Sequence, residues 1–195
     1  ILITPDSERT MCTFLGIAGK ITPDDINVSF VKQSELVFLE GYLWDEGEPK
    51  AAFDKALTLA NKTAMSLSDK FCVERHKKSF LEIVKNKLDI IFANEQEIME
   101  LIDAKSIDDV VKFGKDLNKT LVITRSDKGS MAINRSEVVE CQGQKNLKII
   151  DLTGAGDLFA AGFLHGYINK MSIKESLENG TEMASKIIQK IGARL

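Results

Sequence analysis

Cysteine is scarce: Cys12, Cys72 and Cys141 are the only three in 195 residues. An odd number, widely spaced and without a Cys-x-x-Cys pair, excludes a disulfide framework and a zinc site. Reduced thiols in a cytoplasm are the expectation that remains. A cationic excess is missing too. The formal net charge is −3, and general nucleic-acid binding needs a basic patch. Arg75-His76-Lys77-Lys78 is too short to be one and reads as a solvated helix face. No apolar run has membrane length, and no secretory leader is visible. Gly-x-x-x-x-Gly-Lys-Ser/Thr occurs nowhere, so Lys128 is not a phosphate-loop lysine. An early Gly-x-Gly-x-x-Gly after a strand is also lacking, which argues against a dinucleotide binder. Linkers, repeats and low-complexity tracts are absent. Residues 1–195 therefore read as one α/β domain. The chain opens on Ile1-Leu2-Ile3 without a methionine, a beginning expected of a fragment.

What is present centres on Asp151-Leu152-Thr153-Gly154-Ala155-Gly156-Asp157. Ile149 and Ile150 finish an apolar run that reads as a strand end, and Leu158-Phe159-Ala160-Ala161-Gly162-Phe163-Leu164 continues as a buried helix to about Lys170. Gly154, Ala155 and Gly156 leave no bulk beyond a methyl group, so backbone N–H groups can approach a ligand. The helix start adds unpaired donors and a dipole that favours an anion. Asp157 in such a site is either a helix-cap acid or a base that takes a proton from an alcohol.

The remaining chain alternates strands and helices, which predicts a mainly parallel sheet. Strands are expected at 1–4, 9–15, 35–39, 63–67, 88–93 and 120–124, with a hairpin of 130–134 and 137–141 around Arg135-Ser136. Helices are expected at 48–61, 73–86, 94–102 and 107–117. The last part reads as two helices, Ser172 to Leu177 and Thr181 to Ile191, broken at Asn179-Gly180. Glu35 to Leu39 reads as a buried strand. Tyr42 and Trp44 at its carboxyl end line a pocket or pack in the core. Asn94 and Glu97 form a capping box by spacing alone. Ala161, Leu164, His165 and Ile168 recur at helical spacing, and His165 reads as packed or capping.

The central stretch resembles the Asp-Thr-x-Gly-Ala-Gly-Asp signature of the ribokinase-like (PfkB) sugar and nucleoside kinases, with Leu152 where that family usually has Thr. Three more stations follow in the family's order. Thr4 to Met11 resembles the segment whose Arg reaches the transferring phosphate in adenosine-kinase-like members. Asn94 and Glu97 match Asn-x-x-Glu. Thr124 and Gly129 match Thr-x-Gly-x-x-Gly, with Ser126 for the first Gly; Ser suffices there if its φ need not be positive.

The resemblance implies a ribokinase-like three-layer αβα sandwich, present here as the C-terminal, nucleotide-binding part. It implies ATP-dependent transfer to a sugar or nucleoside hydroxyl, with an adenosine-like acceptor favoured. Asp157 is then the general base, Arg9 the cation, and Gly154, Ala155 and Gly156 the anion hole. Asn94, Thr124, Ser126, Gly129 and Asn179 border the nucleotide, Asn179 being equally a C-cap. Glu97 and Asn94 order Mg²⁺ through water, and Asp151 and Thr153 form a monovalent-cation (K⁺) site. The family's lid sheet, Gly-Gly motif and sugar-gripping Asp have no counterpart here. These residues alone are thus expected to lack activity, and any homodimer is expected to form through the lid. The alternative is a relative or fragment that binds a nucleotide or nucleoside without turnover.

Overall fold

Helix-length stretches between short apolar runs leave the backbone few ways to satisfy its hydrogen bonds. The structure, a computed structural model, describes residues 1–44, 49–135 and 137–195. Two compact units are distinguished: residues 15–123 with 133–138, and residues 1–14 with 124–132 and 139–195.

The former unit is built on β3 (Val37–Glu40), β4 (Thr63–Ser66), β5 (Ile90–Asn94) and β6 (Thr120–Thr124), after the short helix α1 (Val28–Gln33). Between the strands run α2 (Pro49–Leu59), α3 (Lys70–Asn86), and the pair α4 (Glu95–Ile102) and α5 (Ile107–Leu117). A helical crossover brings the next strand back parallel to the last. Val37 accordingly lies opposite Thr63, and Ala64 opposite Ile90, in parallel register. Ile90, Ile91, Phe92 and Ala93 are all buried, as in a strand covered on both faces. Strand order in the six-stranded sheet is sequential, with β7 (Ser130–Asn134) and β8 (Glu137–Cys141) after β6. The expected mixed α/β fold with a mainly parallel sheet is what forms.

Several local expectations are corrected. β3 is an edge strand, half-buried rather than buried, and Phe38 is 40% exposed. An apolar run of this length fits an edge as well as a core strand, and only the pairing distinguishes them. Trp44 is half-buried and packs on core aromatics, which is one of its two expected places. Its ring meets Phe53 edge-on at 4.9 Å and Phe80 at 5.7 Å. The expected start of α2 at Glu48 and the hairpin residue Ser136 lie outside the described residues.

In the second unit, β1 (Leu2–Ile3) pairs antiparallel with β2 (Arg9–Thr10), shorter than the expected strands. Its other main feature is α6 (Ala155–Ile168) packed on α7 (Ile173–Ile187). Here the expected break at Asn179-Gly180 is wrong, because α7 runs through both. Glycine inside a helix costs about 1 kcal/mol relative to Ala. Close packing is the reason it stays: a Cβ on Gly180 would stand 2.7 Å from the Phe159 carbonyl. Gly162 and Gly166 mirror this from α6, against Asn179 and Ser176. The packed face of α6 is therefore Phe159, Ala160, Gly162, Phe163 and Gly166. Ala161, His165 and Ile168 face outward instead, so of the two readings of His165 the packed one is excluded, while its place in the last turn of α6 is kept. Glycine carries no hydrophobic signal, so the packed stripe was hidden in the periodicity. Among the described residues no helix is long and apolar enough to cross a membrane.

Gly162→Ala tests this packing against helix propensity. A Cβ there would lie 2.6 Å from the Asn179 carbonyl oxygen. Stability should fall by roughly 1–3 kcal/mol, although propensity alone favours alanine. Urea denaturation of the two proteins measures it, and a more stable variant contradicts the close approach.

Candidate active site

Helix starts in this chain are mostly closed by their own side chains. Asp69 accepts from Cys72 N–H at the start of α3, Asn94 from Glu97 N–H at α4, Ser106 from Asp109 N–H at α5, and Ser172 from Glu175 N–H at α7. α6 differs. Its N-cap is Gly154, and no side chain caps it. The Ala155 N–H closes a turn onto the Leu152 carbonyl at 3.3 Å, so it is less available to a ligand than expected. Gly156 and Asp157 follow in the first turn, where N–H groups have no intrahelical partner. Both residues are exposed.

Gly154 and Gly156 serve different ends. Gly154 has φ +79°, a conformation that disfavours any side chain. A Cβ there would also lie 2.9 Å from that of Ala193. Gly156 meets nothing within 4 Å of its missing Cβ. The packing of the fold therefore does not require glycine at Gly156.

Asp151 organises the approach to this turn. It is 1% exposed. Its Oδ1 accepts from the Thr153 hydroxyl at 2.6 Å and the Thr153 N–H at 2.9 Å, and its Oδ2 accepts from the Gly192 N–H at 2.8 Å. The Thr153 hydroxyl, then the Gly192 amide, hold its carboxyl below the ordinary carboxylate range, with a smaller contribution from the charge of Arg9. Arg9 is exposed on β2. The β1–β2 hairpin is fastened by Ser7 Oγ, which donates to the Ile149 carbonyl at 2.9 Å.

The same unit holds the other stations. Thr124 ends β6. Arg125 N–H then donates to the Gly129 carbonyl at 2.8 Å, and Gly129 N–H to that of Ser126 at 3.1 Å. Gly129 has φ +89°, and a Cβ on it would overlap the Cys141 carbonyl. Ser126 has φ +53°. The condition under which serine would suffice is thus not met: the backbone is left-handed, and serine bears the strain. Asn179 is not a C-cap but sits inside α7, its Nδ2 at 3.3 Å from Met171 Sδ.

Asn94 and Glu97 belong to the other unit, at the carboxyl end of β5. The capping box is complete. Asn94 N–H donates to Glu97 Oε2 at 2.9 Å, Asn94 Nδ2 to Oε1 at 2.6 Å, and Glu97 N–H to Asn94 Oδ1 at 2.8 Å. Glu97 is 5% exposed. Burial pushes its carboxyl up to about 7, against the Asn94 hydrogen bonds and with help from the Asp69 charge. Tyr42 lies in this cluster, its backbone N–H on Ser68 Oγ and its hydroxyl on the Ser68 carbonyl. Burial, then Asp69, drives its phenol far above the ordinary value. Asp69 caps α3, and its influence on Glu97 has no sequence signal, since 28 positions separate them.

Among the described residues no group of three or more His, Cys, Asp or Glu is arranged to hold a metal. Hydrated Mg²⁺ takes only one or two protein carboxylates beside substrate phosphates, a part Glu97 fits through water. At Asp151 two of the oxygen lone pairs face Thr153 and one faces Gly192, leaving one for a cation.

The pfkB family of carbohydrate kinases matches residues 1–195. The cytidine kinase of Thermococcus kodakarensis is 30% identical over 118 residues, 60% of this chain and 42% of that protein. The adenosine kinase from Sinorhizobium meliloti superposes with a TM-score of 0.95 at 37% identity, over 99% of this chain and 61% of that one. The ribokinase from Thermotoga maritima superposes with a TM-score of 0.78 at 18% identity, over 98% and 62%, a likeness of fold alone. The chain thus spans about three fifths of these two structures.

Two measurements test the electrostatics and the strain. Glu97 prefers its neutral form in the fold, so its ionisation costs stability from its ordinary pKa of 4.5 up to about 7. Lowering the pH from 8 to 5 should therefore recover roughly 2–3 kcal/mol from this group. Urea midpoints at the two pH values should converge in Glu97→Gln relative to the parent. Ser126→Gly should stabilise the protein by about 0.5–1 kcal/mol, the left-handed penalty less the entropy of glycine. A lower urea midpoint would contradict the strain.

Proposed function

The chain belongs to the pfkB family of carbohydrate kinases, and from that premise we propose an ATP-dependent phosphotransferase acting on a nucleoside or sugar hydroxyl, with an adenosine-like acceptor favoured. The observation that carries this reading is the first turn of α6. Gly156 and Asp157 are both exposed in the first turn, at an α-helix start that no side chain caps, unlike those of α5 and α7. Phosphoryl transfer asks a protein mainly for positioning and charge, and this turn supplies both.

In the reaction, Asp157 accepts the proton of the acceptor hydroxyl as that oxygen bonds to the γ-phosphorus of ATP, while the bond from that phosphorus to the β,γ-bridging oxygen breaks and ADP leaves. The Gly156 and Asp157 amides hold the transferring phosphoryl group, with Gly154 and Ala155 shaping the turn. Arg9 offsets the growing negative charge. Thr124, Ser126 and Gly129 border the nucleotide, and Asn179 its base or ribose. Asn94 and Glu97 order the water shell of Mg²⁺, which neutralises phosphate charge when bound. Asp151 and Thr153 border a K⁺ site. The protein works in the cytoplasm on a small-molecule acceptor. A homodimer forms through a lid of the kind that family members carry. Binding of a nucleotide or nucleoside without turnover is the second reading.

Asp157→Asn in the full-length protein separates the two. Loss of a general base typically costs about 10²–10⁴-fold in rate. Turnover with ATP and adenosine, other nucleosides or sugars should fall by that factor, while nucleotide affinity measured by calorimetry stays at the parent value. Equal turnover in the two proteins would remove Asp157 from the chemistry.

A further inference from the structure

We propose that the segment Gly192–Ala193 is a positioning device for the anion site at the start of α6, acting through Asp151 and Gly154. The proposal rests on the kinase reading above, and it assigns to residues after the last helix a part in the chemistry. Three contacts support it, all inside the unit that contains residues 139–195.

The first contact is backbone to backbone. After α7 the Ile188 carbonyl accepts from Ile150 N–H at 2.8 Å and from Asp151 N–H at 3.3 Å. The chain leaving α7 therefore runs beside the chain entering the Gly154 turn. The second is the buried carboxylate. Asp151 Oδ2 takes the Gly192 N–H at 2.8 Å, while Oδ1 takes Thr153. One side chain thus fixes the turn and the tail to each other. Gly192 is left-handed at φ +91°, with open space where its Cβ would be. Its glycine answers to the backbone angle that aims this N–H, not to crowding. The third is steric. The position of a Cβ on Gly154 lies 2.9 Å from the Ala193 Cβ and 3.0 Å from its Cα. Ala193 therefore backs the left-handed residue from which the α6 amides project.

The function of this arrangement follows from the missing cap. Where α3, α4, α5 and α7 are fixed by a side chain of the N-cap residue, a glycine N-cap has none to offer. A capping side chain would occupy the amides that the phosphoryl group needs. Bracing the turn from behind, through Ala193 and the Asp151 tether, fixes it without filling it. Ala193 is on this account a positioning residue, not a catalytic one. Preorganised donors lose much of their value when displaced, and a shift of about 1 Å can cost 10²-fold in rate.

The test uses the full-length protein and two variants, Ala193→Gly, which removes the brace, and Ala193→Ser, which keeps the Cβ. Inorganic phosphate is titrated while the amide resonances of Gly156 and Asp157 are followed. Turnover is measured with ATP and adenosine well below the melting temperature. Ala193→Gly should weaken phosphate binding about tenfold and lower kcat by a similar factor, with the acceptor KM unchanged. Ala193→Ser should keep the parent values. If Ala193→Gly changes only the melting temperature, or if serine behaves as glycine does, the brace is overturned. Should Ala193→Gly unfold, Gly192→Ala provides the same readouts: strain at φ +91° turns its N–H from Asp151, and parent-like binding and kcat would overturn the tether. If phosphate responds as stated while no acceptor is phosphorylated, the kinase reading fails and the brace stands. Absence of any phosphate response at Gly156 and Asp157 in the parent overturns both.

Discussion

A buried carboxylate has to be matched by donors, because an unpaired charge in a protein interior is strongly destabilising. Asp151 is matched by Thr153 and Gly192, and this single requirement ties together the approach to α6 and the end of the chain. The turn that follows is then free to carry a left-handed glycine and an uncapped helix. A helix start that needed its own cap would present a closed surface to an anion. Here the fixing is done from outside the helix, and the amide donors remain in solvent.

Asp151 in one unit and Glu97 in the other use charge in opposite ways. At Asp151, hydrogen bonds dominate and favour the ionised carboxylate. At Glu97, burial dominates despite two donors from Asn94, and the neutral form gains. Glu97 sits in the first turn of α4 just after β5, whereas Asp151 lies in irregular chain after β8, where a strand end was expected. Residue type alone assigns the two acids the same behaviour, and environment separates them: Thr153 and Gly192 donate to one, while burial and the charge of a second acid, Asp69, act on the other.

How far the sequence could be read depended on how local each signal was. Asn94 and Glu97 are three residues apart, and their mutual hydrogen bonds were legible as spacing. Alternating strands and helices of ordinary length announced the parallel sheet. Gly180 misled because helix propensity treats glycine as a break, whereas packing on Phe159 makes a glycine necessary in an unbroken α7. His165 misled because the packed stripe of α6 contains Gly162 and Gly166, which add nothing to a hydrophobic pattern. Ser126 could be aligned with a glycine of the family motif but not given a φ angle. The strain was visible only once the Gly129 loop was closed against Cys141.

The sequence by itself determined the alternation of strands and helices through residue 124 and the small-residue turn ending in Asp157, since each follows from neighbours within a few positions. Tertiary structure alone decided which glycine serves the fold and which leaves room for a ligand. Gly154 and Gly156 look alike as text, but Ala193 crowds one and solvent meets the other. That difference comes from a segment 39 positions along the chain from Gly154, brought there by the hydrogen bonds of Ile188 and Asp151. No local pattern encodes such a meeting, because its energy exists only after the helices between them have packed.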